Sequence, residues 1–378
     1  MFKMINSKFY FLLILLLSNL SFCFNKNILA TDTVKIERYN LKYFGKNFFV
    51  IEGTKIHDSL KESPYDRLPL SYKKHVRKPV WDLSKSSAGL SIRFISNSSS
   101  ISAKWEVLNN NEMNHMPDTG IKGIDLYYRT EKGWQYLATG RPQGLKNEYN
   151  LIQNMTNEER EYKIYLPLYD GIKNIEIGID ENSFIRKGDI NFKNTVVFYG
   201  TSITQGGCAS RPGMIHTNIL SRKMDIDVIN FGFSGNGRME QPIAELISQM
   251  KPLFYVIECM PNMIEPKNIT NNTIPLVDTI RKGNPDAPII FIDLFEYSFS
   301  ALNNNAKNKK EGMNAALKSE IQKMQNDGYK NIFYIDSKNS IGSDMEGTVD
   351  GVHFTDLGYM RYSSFLIKKF KELDLVKK

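Results

Sequence analysis

Apolar and polar residues follow two different periods along this chain. From Thr31 to about Asp189 they alternate in short runs, at 89–95, 100–107, 123–129, 161–166 and 172–179, separated by turn residues. A period of two marks strands with one face buried, and several such strands with turns between them predict an antiparallel β-sandwich or jelly roll. No convincing amphipathic helix is legible in this half. Near Phe192 the pattern changes. Near-continuous apolar runs at 195–199, 226–231, 253–258, 289–294 and 331–336 now alternate with helix-period segments at 214–224, 239–250, 270–282, 311–327 and 355–372. Strands that need no polar face, separated by helices, predict a parallel sheet covered on both sides. The expected organisation is a β-sandwich domain over 31–190 and an α/β domain with a parallel five-stranded sheet over 191–378.

The first 30 residues fit neither domain. Lys3 and Lys8 precede the apolar stretch Phe9 to Leu17, and small residues follow around Cys23. This is the layout of a secretory signal peptide, too short for a good membrane span, with cleavage expected near 23–30. An N-terminal anchor helix is the alternative. Removal of the leader predicts a secreted, periplasmic or cell-surface protein with no integral span.

Composition narrows the class further. The 378 residues are 41% hydrophobic and 24% charged, which suits folded domains and argues against disorder. The net charge of +8 is scattered rather than blocked, so nucleic acid is not an expected partner. After the leader only Cys208 and Cys259 remain. They permit one disulfide in an oxidising compartment or stand as two unpaired apolar residues, and they are too few for a zinc ribbon. No metal or other cofactor is expected. Trp81, Trp105 and Trp134 are candidates for a sugar-stacking platform or for core packing. His115, in the aperiodic segment 109–122, is a candidate ligand or base or a solvated loop residue.

The chemistry collects beyond the strands of the second half, where open α/β sheets bind their ligands. Gly200-Thr201-Ser202 follows the first strand, Gly232-Phe233-Ser234-Gly235-Asn236-Gly237 the second and Cys259-Met260-Pro261-Asn262 the third. Asp350-Gly351-Val352-His353 opens the last helix. A serine hydroxyl becomes a nucleophile only when a neighbouring imidazole takes its proton, and that imidazole needs a carboxylate to fix its tautomer. Ser202, His353 and Asp350 are therefore the candidate catalytic residues. The backbone amides of Ser202 and Gly235 with the Asn262 side chain are the candidate oxyanion donors. Arg211, in the loop after Ser202, is either a substrate contact or half of a salt bridge.

In this order the blocks resemble the SGNH, or GDSL-type, esterase superfamily, whose Ser, Gly, Asn and His match Ser202, Gly235, Asn262 and His353, with Asp350 in its Asp-x-x-His position. Residues 206–214 and 230–237 are similar to a subgroup that carries an N-terminal domain named for a Gly-x-Asp-Leu-Tyr motif. That motif stands here as Gly123-Ile124-Asp125-Leu126-Tyr127. Thr201 replaces the acidic residue that often precedes the nucleophile, and Met260-Pro261-Asn262-Met263 replaces the frequent Gly-x-Asn-Asp. The resemblance implies a flavodoxin-like three-layer fold and metal-free ester hydrolysis. The expected activity is a serine esterase removing short acyl groups, acetyl above all, from a carbohydrate or small-molecule ester. The alternatives are an acyltransferase, a lipase or lysophospholipase, and an inactive carbohydrate-binding surface module.

Overall fold

Every alternating run of the first half is a strand in the computed structural model, which describes residues 40–189 and 194–376. The expected leader, with Cys23, lies outside the described residues. Strands β1 (Leu41–Phe44), β2 (Val50–Glu52), β3 (Ser91–Ser96), β4 (Ile101–Val107) and β5 (Ile124–Thr130) are followed by β6 (Gly133–Gly140), β7 (Lys146–Ile152), β8 (Arg160–Tyr165), β9 (Ile172–Asp180) and β10 (Ile185–Lys187). They form two antiparallel sheets: a four-stranded one ordered β1-β9-β4-β7, and a six-stranded one ordered β10-β3-β8-β5-β6 with β2 beside β3. Strand β4 shows why. Ile101, Ala103, Trp105 and Val107 all point into the core shared by the two sheets, while Lys104 and Glu106 stay half-exposed. Each large apolar side chain so buried contributes about 1.5–3 kcal/mol.

The second half is a parallel sheet of β11 (Thr195–Gly200), β12 (Asp227–Gly232), β13 (Phe254–Glu258), β14 (Ile289–Ile292) and β15 (Ile332–Ile335), in the order β12-β11-β13-β14-β15. Along β11, Val197 and Tyr199 enter one core while Val196 and Phe198 enter another. A strand buried on both faces has no use for polar alternation, hence its uninterrupted apolar run. The chain order reverses between β11 and β13, which places a ligand crevice beyond their C-terminal ends.

Helices cover both faces. Those of the first half are short: α1 (Lys78–Ser84) and α2 (Asp118–Ile121). Then come α3 (Ser202–Gln205), α4 (His216–Met224), α5 (Gln241–Ser248), α6 (Pro266–Gly283), α7 (Asn304–Asn326) and α8 (Asp356–Glu372). Side chains of α5, α6 and α7 fill one core, and those of α3, α4 and α8 fill the other. No helix among the described residues is long and apolar enough to cross a membrane.

Two features depart from the sequence reading, and two alternatives that it left open are decided. Helices α1 and α2 escaped it because seven and four residues are too few to establish a helical period. Residues of the first half also pack outside their own sandwich: Ile56, Leu68, Val80 and Trp81 join one α/β core, and Met116, Ile121, Leu168 and Tyr169 the other. Cys208 and Cys259 are both free and buried, one in each core on opposite faces of the sheet, so no disulfide joins them. The three tryptophans form no common platform. Trp105 lies in the sandwich core, Trp81 in an α/β core, and Trp134 beneath the cationic groups of Arg93, Arg129 and Lys163.

The Gly-x-Asp-Leu-Tyr stretch opens β5 and clasps the segment after Ser202. Asp125, wholly buried, accepts from Arg211 Nη1 at 2.8 Å and from the Gly213 N–H at 2.7 Å. Tyr127 Oη accepts from the same Arg211 nitrogen at 2.7 Å, and its ring leaves no room for a side chain at Gly213. Of the two readings of Arg211, this geometry is that of the salt bridge. Arg211→Met strands a buried carboxylate and should cost about 3–5 kcal/mol. Arg129→Met, which breaks the exposed pair with Asp225, should cost less than about 1 kcal/mol. Urea unfolding of both variants checks this; equal losses would remove Asp125 and Arg211 from the role of clasp.

Candidate active site

Ser202 opens α3 immediately beyond β11, at the crevice the sheet order creates. Four residues make a weak helix on their own, so the turn is held from outside. The Ser202 carbonyl accepts from the amides of Gly206 at 2.8 Å and Gly207 at 2.9 Å and from Tyr169 Oη at 3.3 Å. Tyr359 Oη donates to the carbonyls of Ile203 and Gly207, and Asn230 Nδ2 to that of Thr204 at 2.6 Å. Gln205 links two other segments, donating to Leu168 O and accepting from the Ser234 N–H. The loop after β12 lies directly on this turn: a side chain at Gly237 would collide with the Gly200 carbonyl.

His353 arrives from the segment before α8, steadied by a bridge between Thr348 and Phe354. Its Nε2 lies 2.9 Å from Ser202 Oγ and its Nδ1 2.7 Å from Asp350 Oδ2. The other carboxylate oxygen of Asp350 accepts from the amides of Val352 at 3.0 Å and His353 at 2.7 Å. Burial alone would raise the Asp350 pKa, but hydrogen bonds from the His353 side chain and these two amides outweigh it and hold the carboxyl near 2. An ionised carboxylate on Nδ1 leaves Nε2 as the lone-pair nitrogen facing Ser202.

The remaining sequence candidates lie on the adjacent loops. Gly235 sits in the turn after β12 with φ +68, a left-handed conformation that favours glycine. Asn262 ends the single turn 260–262 after β13, and its Oδ1 accepts from the Gly237 N–H at 3.1 Å. With the oxygen so engaged, the amide is fixed in orientation and Nδ2 is its donor end.

Two family models divide the chain: residues 41–185 match the N-terminus of SGNH-hydrolase-type esterases, and residues 193–371 match the GDSL-like lipase/acylhydrolase family. A protein from Bacteroides ovatus described as a GDSL-like lipase is 35% identical, with a TM-score of 0.85, over 89% of this chain and 99% of its own. The chain belongs to the GDSL-like lipase/acylhydrolase family. It is accordingly a serine ester hydrolase. The salicylyl-acyltransferase SsfX3 from a tetracycline biosynthetic pathway shares the fold at 14% identity and TM-score 0.74, over 89% of this chain and 99% of its own. So does the acetyl xylan esterase Est2A from Butyrivibrio proteoclasticus, at 12% identity and TM-score 0.58, over 89% of this chain and 100% of its own. No curated protein sequence matches the chain.

Three residues beside this hydrolase's site take their places through contacts that the sequence did not show, His115 among them although its position was already a candidate. His115 projects from the β4–α2 connection of the first half, its ring centroid 5.7 Å from that of His353. Arg67, wholly buried, donates to the carbonyls of Leu83, Ser86, Asn230 and Gly232 and so ties the end of β12 to the first half. Burial pushes its pKa down to about 9, which still leaves it charged at neutral pH. Phe299, 42% exposed, packs against Gly351 and stacks on Tyr297 with centroids 5.4 Å apart. Nothing in the period of the chain signals the contacts of these three, since each joins separate segments.

Glu258 is the fourth. At the end of β13 its carboxylate accepts from Thr204 Oγ1 at 2.9 Å, from Tyr362 Oη at 2.5 Å, and pairs with His216 Nε2 at 3.0 Å. Burial would raise its pKa, yet the His216, Tyr362 and Thr204 partners together bring it below the ordinary 4.5. A carboxylate with a depressed folded pKa contributes stability that is fully present above 4.5 and is lost as pH falls through the folded value. Glu258→Gln should therefore cost about 1–3 kcal/mol at neutral pH by leaving a buried donor poorly matched. The gap between variant and wild type should narrow on acidification below 4.5. Denaturant unfolding at several pH values checks both, and a gap that widens toward acid would contradict an ionised Glu258.

Proposed function

We propose that this hydrolase removes short acyl groups, acetyl in particular, from carbohydrate esters, with Ser202 as nucleophile, His353 as general base and acid, and Asp350 as the carboxylate that orients and stabilises the imidazolium. The observation that carries the reading is the unbroken relay from Ser202 Oγ through His353 to Asp350, at 2.9 and 2.7 Å. Ser202 Oγ attacks the ester carbonyl carbon as its proton passes to His353 Nε2. The oxyanion is met by the amides of Ser202 and Gly235 and by Asn262 Nδ2, each such donor being worth about 2.7–4 kcal/mol. His353 then returns the proton to the leaving alkoxide, and a water activated by the same nitrogen releases the acid.

The carbohydrate half of the reading rests on two supports. A structural neighbour is an acetyl xylan esterase, and others are carbohydrate esterases of family two. Phe299, beside the His353 loop, offers the exposed aromatic face on which a sugar ring stacks. The leader expected over 1–30 fits export toward such polymers. The acyltransferase neighbour supports a second outcome, in which an alcohol replaces water as the acceptor.

Ser202→Ala should lower kcat on an activated acetyl ester at least about 10³-fold while leaving the unfolding midpoint unchanged. Retained activity would sink the relay. Acetyl esters should be cleaved faster than octanoyl esters, and acetate should be released from acetylated xylan or a related glycan. A long-chain preference would favour a lipase, and partition of the acyl group to an added alcohol a transferase. Phe299→Ala should raise KM for the polymer several-fold with little change on the small ester; an equal effect on both would remove Phe299 from sugar binding.

A further inference from the structure

His115, Cys208 and His353 come from three separate segments, yet a ligand atom from each lies within 4.8 Å of the other two. A tetrahedral zinc ion with Zn–S near 2.3 Å and Zn–N near 2.0–2.1 Å needs donors roughly 3.5 Å apart. About 1 Å of closure by rotation of the two imidazoles would meet that requirement. Both rings are half-exposed and give a cation its way in, while Cys208 is buried and forms the floor. The site is also braced. Met113 and Met116 bridge on either side of the His115 loop, Met116 is buried in an α/β core, and the Cys208 amide donates to Phe354 O at 3.0 Å. Behind His353, Asp350 holds Nδ1, the carboxylate–histidine arrangement that orients imidazoles toward zinc.

We propose that His115, Cys208 and His353 form a binding site for a thiophilic divalent cation, Zn²⁺, and that its occupancy silences ester hydrolysis. Because Nδ1 of His353 is taken by Asp350, the cation binds Nε2, the nitrogen that accepts the proton of Ser202 Oγ. One lone pair cannot serve both. On binding, Cys208 loses its thiol proton to solvent and the metal–sulfur bond forms, with water in the fourth position. Neither His115 nor Cys208 has a role in the acyl transfer proposed above. The cation site stands on the three side chains alone; its effect on activity rests on the proposed roles of Ser202 and His353.

Co²⁺ titration of the Ser202→Ala protein tests the site without any reference to activity. A thiolate-to-cobalt charge-transfer band should appear, vanish on adding Zn²⁺, and be absent in Cys208→Ser. His115→Gln, a half-exposed change that leaves the core intact, should weaken cobalt affinity at least about tenfold. No band in the Ser202→Ala protein, or a band unaffected by either variant, overturns the site. In activity assays Zn²⁺ should inhibit the unaltered protein, and His115→Gln, measured against its own zinc-free rate, should need at least about tenfold more Zn²⁺ for half-inhibition. Equal sensitivity of the two overturns the silencing mechanism, even where the cobalt band is present.

Discussion

Two atoms 151 residues apart in the chain, Ser202 Oγ and His353 Nε2, meet at 2.9 Å, and most of the structure around the crevice can be understood as what that contact requires. A hydroxyl and an imidazole brought together across that separation need both segments held to a fraction of an ångström. Neither can hold itself. Ser202 begins a helix of four residues, and His353 lies in a stretch without regular structure before α8. Rigidity is imported instead, from Tyr169, Asn230, Gln205 and Tyr359 around the serine turn and from the two amides that fix Asp350. Tyr359 is the economical member, since it lies on α8, just beyond His353, and bonds back to the serine turn.

The β-sandwich is part of this support rather than an appendage to it. Asp125 and Tyr127 grip Arg211 and Gly213, Thr119 Oγ1 donates to Ser210 O, and Arg67 spans to the carbonyls at the end of β12. Together they clamp the segments that follow β11 and β12, the strands carrying Ser202 and Gly235. The Gly-x-Asp-Leu-Tyr motif thus acquires a physical meaning: its acid and its phenol hold the loop after the serine. A buried ion pair stabilises little against an apolar substitute, but it admits only one register of loop on strand. Register is what a crevice between two layers needs.

The layers of the fold were legible in the sequence because burial imposes a period on them. The five apolar runs of the second half became the five parallel strands, and the alternating runs of the first half became sandwich strands. Strand β6 escaped notice because Gln135 and Tyr136, neighbours on opposite faces, are both exposed, and β7 because its buried face carries the polar Asn147, so that burial alternates along it but hydrophobicity does not. At the site, the blocks around Ser202, Gly235, Asn262 and His353 were visible because loop chemistry after a strand is compact in sequence. Arg67, Glu258 and Phe299 were not, because each acquires its place through a partner 100 or more residues away or through a packing surface that no local pattern encodes; His115 was a candidate by type, but its place beside His353 was hidden for the same reason. Arg211 lay between these cases, its position evident and its partner Asp125 hidden in another layer.

Two of the chain's five histidines are paired with a carboxylate near the serine turn, and the difference between them is instructive. His216 meets Glu258 in a fully buried setting, where Thr204 and Tyr362 also donate to the same carboxylate. That pair stabilises α3 from below and offers no atom to Ser202. His353 meets Asp350 at the rim, where one ring nitrogen is bound and the other is turned toward the hydroxyl. A histidine next to an acid is thus no sufficient sign of a base. What distinguishes the two is that the second ring nitrogen of His353 lies 2.9 Å from the Ser202 hydroxyl, a direction set jointly by Asp350 on the first nitrogen, by the Thr348–Phe354 bridge and by the packing of α8 against the serine turn.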